Sequence, residues 1–186
     1  MPARLAKGLF TEASWVLSPS SVFIDTQLSD EGHAQACELR DVLRSKPTDA
    51  DGGDEEAQRT LEILRGEKGS SPSFITTSNL QRAVGTVLIA LWDRVAESGE
   101  SVVVNSDLQE ISRNLDSMSA SGRKAIHIPR LVCEELGEAR ATVRQRLDPS
   151  LNQGSKKVFC DPVARLESFA SWCSGGGQTQ QPGKGG

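Results

Sequence analysis

The clearest pattern of apolar and polar positions lies between residues 74 and 96. Residues 74–77 are aromatic and β-branched, which is typical of a short buried strand. Ser78 stands three residues before Gln81, the spacing of a capping box, which satisfies free N–H groups at the start of a helix. Apolar residues then recur at steps of three and four, which predicts a long helix with one buried face: Leu80, Val84, Val87, Leu88, Leu91 and Val95.

The polar turn between this strand and this helix places Arg82 in the first helical turn. A cation at that position opposes the helix dipole unless an anion lies close by. Arginine binds phosphate through paired N–H donors, and helix N-termini that follow strands are places where phosphate binds. These residues alone leave two interpretations open, a phosphate site or a surface arginine on an ordinary strand–helix unit.

The remaining pattern predicts four more helices, over residues 29–45, 58–65, 131–147 and 162–172, and a second strand over residues 102–104. Ser29 is a good N-cap for the first of these helices, and Pro162 suits the first position of the last one. The helix over residues 131–147 is predicted to continue through Gly137. The last helix is predicted to have one apolar side, formed by Val163, Leu166, Phe169 and Trp172. Because strand, helix and strand follow one another, the two strands are expected to be parallel.

Four segments are predicted to lack regular structure. Residues 1–28 have poor periodicity, and residues 105–129 are polar, which predicts a long surface or functional loop. Residues 47–56 are acidic and contain glycine, which predicts a mobile surface insertion. Residues 173–186 are rich in glycine and glutamine and are expected to be a disordered tail. Residues 1–172 are therefore interpreted as a single domain.

The composition and net charge of the chain argue against several classes of function. The chain has 186 residues with a net charge of −4 and a pI near 5.3, so no general affinity for nucleic acids is expected. Hydrophobic residues make up 37% and aromatic residues 4%, which is lean for a core of this size. No apolar run approaches the roughly 18 residues of a membrane span, and the N-terminus lacks the apolar segment of a secretory signal. Nothing in the pattern specifies an oligomeric state.

The cysteines give no sign of a metal site. Cys37, Cys133, Cys160 and Cys173 are scattered, and no CxxC pair or local Cys/His cluster occurs, so no metal is expected. Cys37 and Cys133 fall within helical patterns and are interpreted as small buried hydrophobic residues. A reducing, cytoplasmic setting fits this usage.

Three stretches in order resemble one family. The segment LSDEGHAQACELRDVL resembles the "L-T/S-x-x-G-x-x-Q-A" segment of the histidine phosphatase superfamily, the phosphoglycerate mutase-like proteins. TTSNLQRAVGTVLIAL is similar to the "T-S-x-L-x-R-A-x-x-T" segment of that family, and VVVNSDLQEISRN to the strand and acid-bearing loop that follow it. NQGSKK and ARLESFASW are also similar to later segments, so the resemblance covers roughly residues 28–172.

The resemblance implies a fold and a chemistry. The fold is a three-layer α/β/α domain of the α/β class with a mostly parallel sheet. The substrate is a phosphorylated small molecule or a phosphoprotein, with no cofactor. A histidine attacks phosphorus and forms a phosphohistidine, arginines stabilise the phosphoryl oxygens, and a carboxylic acid protonates the leaving oxygen. Carried over by motif, Arg82 is the phosphate-binding arginine and Glu110 the proton donor, while Ser78 is a further candidate for phosphate binding.

The chain departs from the family pattern at its histidines. No Arg-His-Gly or Arg-His-Ala motif precedes the first matching segment, and no late Gly-His-Ser motif follows ARLESFASW. The only histidines, His33 and His127, match neither catalytic position. We therefore expect an incomplete sheet, marginal stability and no hydrolysis by the family route. A chain truncated at both ends and a degenerate module that binds a phosphorylated ligand or a protein both explain this, and an unrelated small α/β domain stays a third interpretation.

Overall fold

The computed structural model describes residues 24–45 and 55–175. Within these ranges the fold is mixed α/β, with six α-helices and a three-stranded sheet. The predictions for residues 1–23, for the part of the acidic insertion before residue 55 and for the tail after residue 175 fall outside the described residues. Glu55 and Glu56, assigned to that insertion, are helical. In chain order, the elements are α1 (Asp30–Arg44), α2 (Glu55–Arg65), β1 (Thr76–Thr77), α3 (Gln81–Ser98), β2 (Val102–Val104), α4 (Arg130–Leu136), α5 (Arg140–Gln145), β3 (Leu147–Asp148) and α6 (Pro162–Gly175).

The sheet is parallel, as the order of strand, helix and strand predicts. β2 lies in the middle and pairs with β1 through Thr76 and Val103, and with β3 through Val102 and Leu147. The predicted strand over residues 74–77 is shorter than expected, since β1 contains only its last two residues. The carboxyl ends of all three strands meet at one edge of the sheet, and the chain leaves β1 and β2 through polar residues.

Helix α3 is the centre of the core. It packs against α1, α2, α4 and β1, because its predicted apolar face points inward. Val84, Leu88 and Val95 on that face are fully buried. They belong to one cluster with two β-branched residues of β2 and apolar residues from other parts of the chain: Val102, Val104, Ile126, Ile128, Val132 and Val143. The periodicity of α3 in the sequence therefore identified the core correctly.

The predicted helix over residues 131–147 was wrong, because it is broken at Gly137. This residue has φ +66°, a left-handed conformation that ends α4 and that glycine adopts without a Cβ clash. Helix α5 begins three residues later, and Leu147 leaves the helical region altogether to form β3. The third strand of the sheet thus begins at the last residue of the expected helix.

Helix α6 differs from its prediction at both its end and its buried side. It continues to Gly175, so residues 173–175, assigned to the disordered tail, are helical. Val163 and Leu166 are 59% and 65% exposed, which contradicts the predicted apolar side. Only the later half of that side packs, where the Trp172 ring meets Phe74 edge-on with centroids 5.1 Å apart. Arg165 points inward instead.

Residues 105–129 are more ordered than the predicted surface loop. Two short 3₁₀ helices, Ser106–Leu108 and Leu115–Ser117, interrupt this segment. Several of its polar residues are buried, among them Asn105, Gln109 and Ser117. Their side chains replace the hydrogen bonds that regular secondary structure would otherwise provide. Among the described helices, none has the combined length and apolarity that crossing a membrane requires.

Candidate functional site

The candidate site lies where the carboxyl ends of the strands meet. Asn79 follows β1, Ser106 follows β2, and Asn152 follows β3. The Asn79 Nδ2 group donates to Asn152 Oδ1 at 3.0 Å, and Ser106 Oγ lies 2.9 Å from the same oxygen. This buried polar cluster joins the three strand ends into one rigid platform. In open α/β sheets, ligands bind at this edge.

Arg82 and Glu110, predicted from separate motifs, are in direct contact. Arg82 is the second residue of α3, and its Nη2 group donates to Glu110 Oε2 across 28 residues of sequence. Its Nη1 group donates to the carbonyl oxygen of Asp116 at 2.8 Å. The side chains of Arg82 and Glu110 are 27% and 44% exposed, so solvent reaches both ends of the ion pair. A ligand from solution has access to the guanidinium.

Glu110 is held in its charged form. The nearby Ser112 side chain lowers the pKa of the Glu110 carboxyl most, and the positive charges of Arg82 and Lys156 lower it further. A general acid that works near neutral pH needs a pKa raised toward that pH. In the free protein, Glu110 is therefore a carboxylate partner of Arg82, and its role as proton donor stays a prediction.

Lys156 adds a second, buried cation beside this pair. Its Nζ group donates to the carbonyl oxygen of Ser117 at 2.9 Å and lies 2.8 Å from the hydroxyl of the same residue. Burial is the main reason that the pKa of Lys156 is lowered, and Arg82 also contributes to this shift, while Glu110 opposes it. Lys156 lies in the NQGSKK segment, which is part of the family resemblance. The two lysines of this segment are adjacent, and nothing in the sequence favours Lys156 over Lys157 as a site residue.

The N-terminus of α3 is capped by Asp25, which corrects the predicted capping box. Leu80 occupies the N-cap position without a side-chain hydrogen bond. The Gln81 N–H donates instead to Asp25 Oδ1 at 2.7 Å, and the Ala120 N–H donates to Asp25 Oδ2 at 2.6 Å. Asp25 is fully buried, and burial raises its pKa despite these two donors. No local pattern links residue 25 to residue 81, so the sequence could not reveal this cap.

Ser78 does not join Arg82 and Glu110. Its side chain is buried, and its hydroxyl accepts a hydrogen bond from the Leu80 N–H at 3.4 Å. Among the described residues, Ser78 has no hydrogen bond to the guanidinium of Arg82 or to the carboxyl of Glu110. The structure therefore gives Ser78 a role in shaping the turn before α3.

Neither histidine is hydrogen-bonded to Arg82 or Glu110 within the described residues. His127 is half-buried, and burial lowers its pKa most, with Arg140 adding to the effect and Asp25 opposing it. His33 lies on α1, where its Nε2 is 3.2 Å from Glu135 Oε2. His33 and Cys37 lie only four residues apart in the sequence, and folding brings Glu135 of α4 beside them.

A separate groove of about 650 Å³ opens between α6 and the residues that follow β2 and β3. It is mostly polar and is lined by Asn105, Asp107, Leu151, Gln153, Ser168 and Trp172, among others. Arg82 and Glu110 do not line this groove. Their contact lies on a part of the surface where an anion could approach directly.

Comparisons with known proteins give no relative from which a role could be transferred. No protein family model matches the chain, and no curated protein or solved structure is detectably similar to it. The assignment of a function rests on the residues described above.

Proposed function

We propose that this chain carries a phosphate-monoester binding site of the histidine phosphatase type, centred on Arg82. The observation that supports it is the contact between Arg82 and Glu110. The family resemblance names these two residues independently, one from a helix start and one from a loop, as phosphate-binding arginine and proton donor. Their side chains meet at the sheet edge where α/β proteins bind ligands.

The proposed fold is the three-layer, phosphoglycerate mutase-like α/β/α arrangement with an incomplete, mostly parallel sheet. The parallel order of β1, β2 and β3 supports it. So does the position of the predicted site residues after β1 and β2. In the proposed arrangement, the phosphoryl group lies against the guanidinium of Arg82 in the first turn of α3, beside the N-terminal N–H of Gln81 that already donates to Asp25.

Glu110 acts in this proposal as a competitor that the ligand displaces. A phosphate dianion offers Arg82 two oxygens in the geometry of its N–H donors, whereas the present contact uses one carboxylate oxygen. Once displaced, Glu110 loses the cation that lowers its pKa and gains an anionic neighbour, so its pKa rises. The carboxyl group then approaches the protonated state that the family role of proton donor requires.

The chain itself supplies binding, not turnover. Formation of a phosphohistidine needs a histidine beside the bound phosphorus. The sequence contains only His33 and His127 and no Arg-His motif, so this chain has no histidine at the matching position. The same residues support the second candidate function, a non-catalytic module that recognises a phosphorylated small molecule or phosphoprotein through the Arg82 site. A cytoplasmic location and the absence of nucleic-acid partners belong to the same proposal.

Calorimetric titration with phenyl phosphate tests this function. We expect the wild-type chain to bind the monoester, and Arg82→Ala to weaken binding by at least about tenfold, since a charged hydrogen bond contributes about 1.5–3 kcal/mol. Arg130→Ala is the control, because Arg130 also forms an ion pair with a glutamate, Glu134 on α4, but lies on the open surface. Equal affinity of the wild type and Arg82→Ala would refute the proposal. Phosphate release from the ester, abolished by His33→Gln or His127→Gln, would refute the claim that the chain does not catalyse hydrolysis.

A further inference from the structure

A second cluster of reactive side chains lies away from the strand ends, between α1 and α4. His33 and Cys37 are one helical turn apart on α1 and therefore share a face of that helix. Glu135 on α4 approaches the same face. His33 Nε2 lies 3.2 Å from Glu135 Oε2 and 3.9 Å from Cys37 Sγ, and one ligand atom from each of the three residues lies within 4.8 Å of the others.

Two of these separations are close to those of ligands around a tetrahedral metal ion, and the third, between the Cys37 thiol and the Glu135 carboxylate, is within 4.8 Å. Zinc binds histidine nitrogen and carboxylate oxygen at about 2.0–2.2 Å and thiolate sulfur at about 2.3 Å. Two ligands at tetrahedral angles are then roughly 3.3–3.8 Å apart. The nitrogen–oxygen and nitrogen–sulfur distances of 3.2 and 3.9 Å need to change by only a few tenths of an ångström.

The surroundings hold the carboxylate while leaving one oxygen for a ligand. Arg40 Nη2 donates to Glu135 Oε1 at 2.7 Å, so this oxygen has a partner, and Oε2 faces His33. Outer hydrogen bonds of this kind orient metal-binding carboxylates. The His33 and Glu135 side chains are 23% and 25% exposed, so an ion can enter from solvent.

The choice of residues selects the metal. One thiolate, one imidazole and one carboxylate suit zinc and similar transition metals, whereas magnesium and calcium prefer oxygen ligands alone. We propose that His33, Cys37 and Glu135 form a three-ligand zinc site with a fourth, solvent-facing position. The site is independent of the proposed phosphate site at Arg82. By joining α1 to α4, the metal would link two helices that both pack against α3.

Cobalt(II) binding to the full chain tests this proposal, because cobalt replaces zinc and gives a thiolate charge-transfer band in the near ultraviolet. We expect one equivalent of cobalt to produce the band and zinc to abolish it. Cys37→Ser should remove the band, and His33→Gln should weaken cobalt binding by at least about tenfold. Cys133→Ser is the matched control, because Cys133 is a partly buried cysteine on α4 outside the cluster. Cobalt bound to Cys133→Ser should give the same band as cobalt bound to the wild type.

Thermal unfolding provides a second measurement that does not depend on cobalt. Zinc that binds the folded state should raise the melting temperature of the wild type and of Cys133→Ser, but not that of Cys37→Ser. Circular dichroism without metal checks that Cys37→Ser keeps its helices. Absence of a cobalt band at millimolar metal, or a band that survives in Cys37→Ser, would overturn the proposal and leave the cluster as a network of ion pairs around Glu135.

Discussion

Removing the negative charge of Glu110 should strengthen anion binding at Arg82. In the free protein, Glu110 occupies the guanidinium that an anion needs. This ion pair is partly exposed, so breaking it costs at most about 1 kcal/mol. A displaced carboxylate that stays about 6 Å from a bound dianion adds repulsion of about 1–2 kcal/mol in a water-like dielectric. Glu110→Gln keeps the shape of the side chain and removes both terms.

The expected result is an increase in sulfate affinity of roughly 5- to 150-fold, which corresponds to the sum of these two terms, about 1–3 kcal/mol. Sulfate is suitable because it stays a dianion across the pH range in which Glu110 titrates. Titrations at constant ionic strength should compare the wild type, Glu110→Gln and the control Glu134→Gln, whose carboxylate forms an ion pair with Arg130 on the surface.

The pH dependence should separate these variants further. Sulfate binding raises the pKa of Glu110, so binding takes up a proton, and wild-type affinity should rise as the pH falls toward the pKa of Glu110 in the complex. Glu110→Gln should lack this rise. Unchanged or weaker sulfate binding by Glu110→Gln, with Glu134→Gln equal to the wild type, would refute the claim that Glu110 competes for Arg82.

Three further predictions concern stability, each measured by urea unfolding. Burial raises the pKa of Asp25 in the folded state. The wild type should therefore lose stability relative to Asp25→Asn as the pH rises above the pKa that Asp25 has in the unfolded chain, and a stability difference independent of pH would contradict this. Gly137→Ala should cost about 1 kcal/mol because residue 137 has φ +66°, whereas Gly122→Ala, whose added Cβ meets only ordinary contacts, should cost less. Arg165 Nη2 donates to three backbone carbonyl groups, so Arg165→Ala should lower the free energy of unfolding by about 2 kcal/mol and make α6 sensitive to protease. A protease-resistant α6 in this variant would contradict the prediction.

The elements with strong periodicity could be predicted, and those made by long-range contacts could not. The apolar face of α3 and the β-branched run at Val102–Val104 define their own structure, and their order fixes the parallel pairing. β3 has only Leu147, which ends a helical pattern in the sequence, and Asp148, which follows it. Their extended conformation depends on pairing with β2, which no local pattern records.

The same distinction applies to the candidate sites. Arg82 and Glu110 could be selected because a resemblance attaches a role to each, and the structure brings them into contact. Lys156 reaches the pair only through the fold of residues 105–129 around Ser117. Asp25 caps a helix that begins 56 residues later, and Glu135 meets His33 across two helices. Such contacts depend on packing, which the spacing of residue types does not specify.

A crystal of the full chain soaked in tungstate, an electron-dense phosphate mimic, would show whether Arg82 binds a phosphate-like anion. We expect an anion with an oxygen within about 3.2 Å of the Arg82 guanidinium, the usual upper limit of a hydrogen bond. We also expect the Glu110 side chain to turn away from Arg82 in the same crystal. Tungstate bound only at other surface arginines such as Arg130, with the contact between Arg82 and Glu110 intact at saturating concentration, would contradict the proposal of a phosphate site.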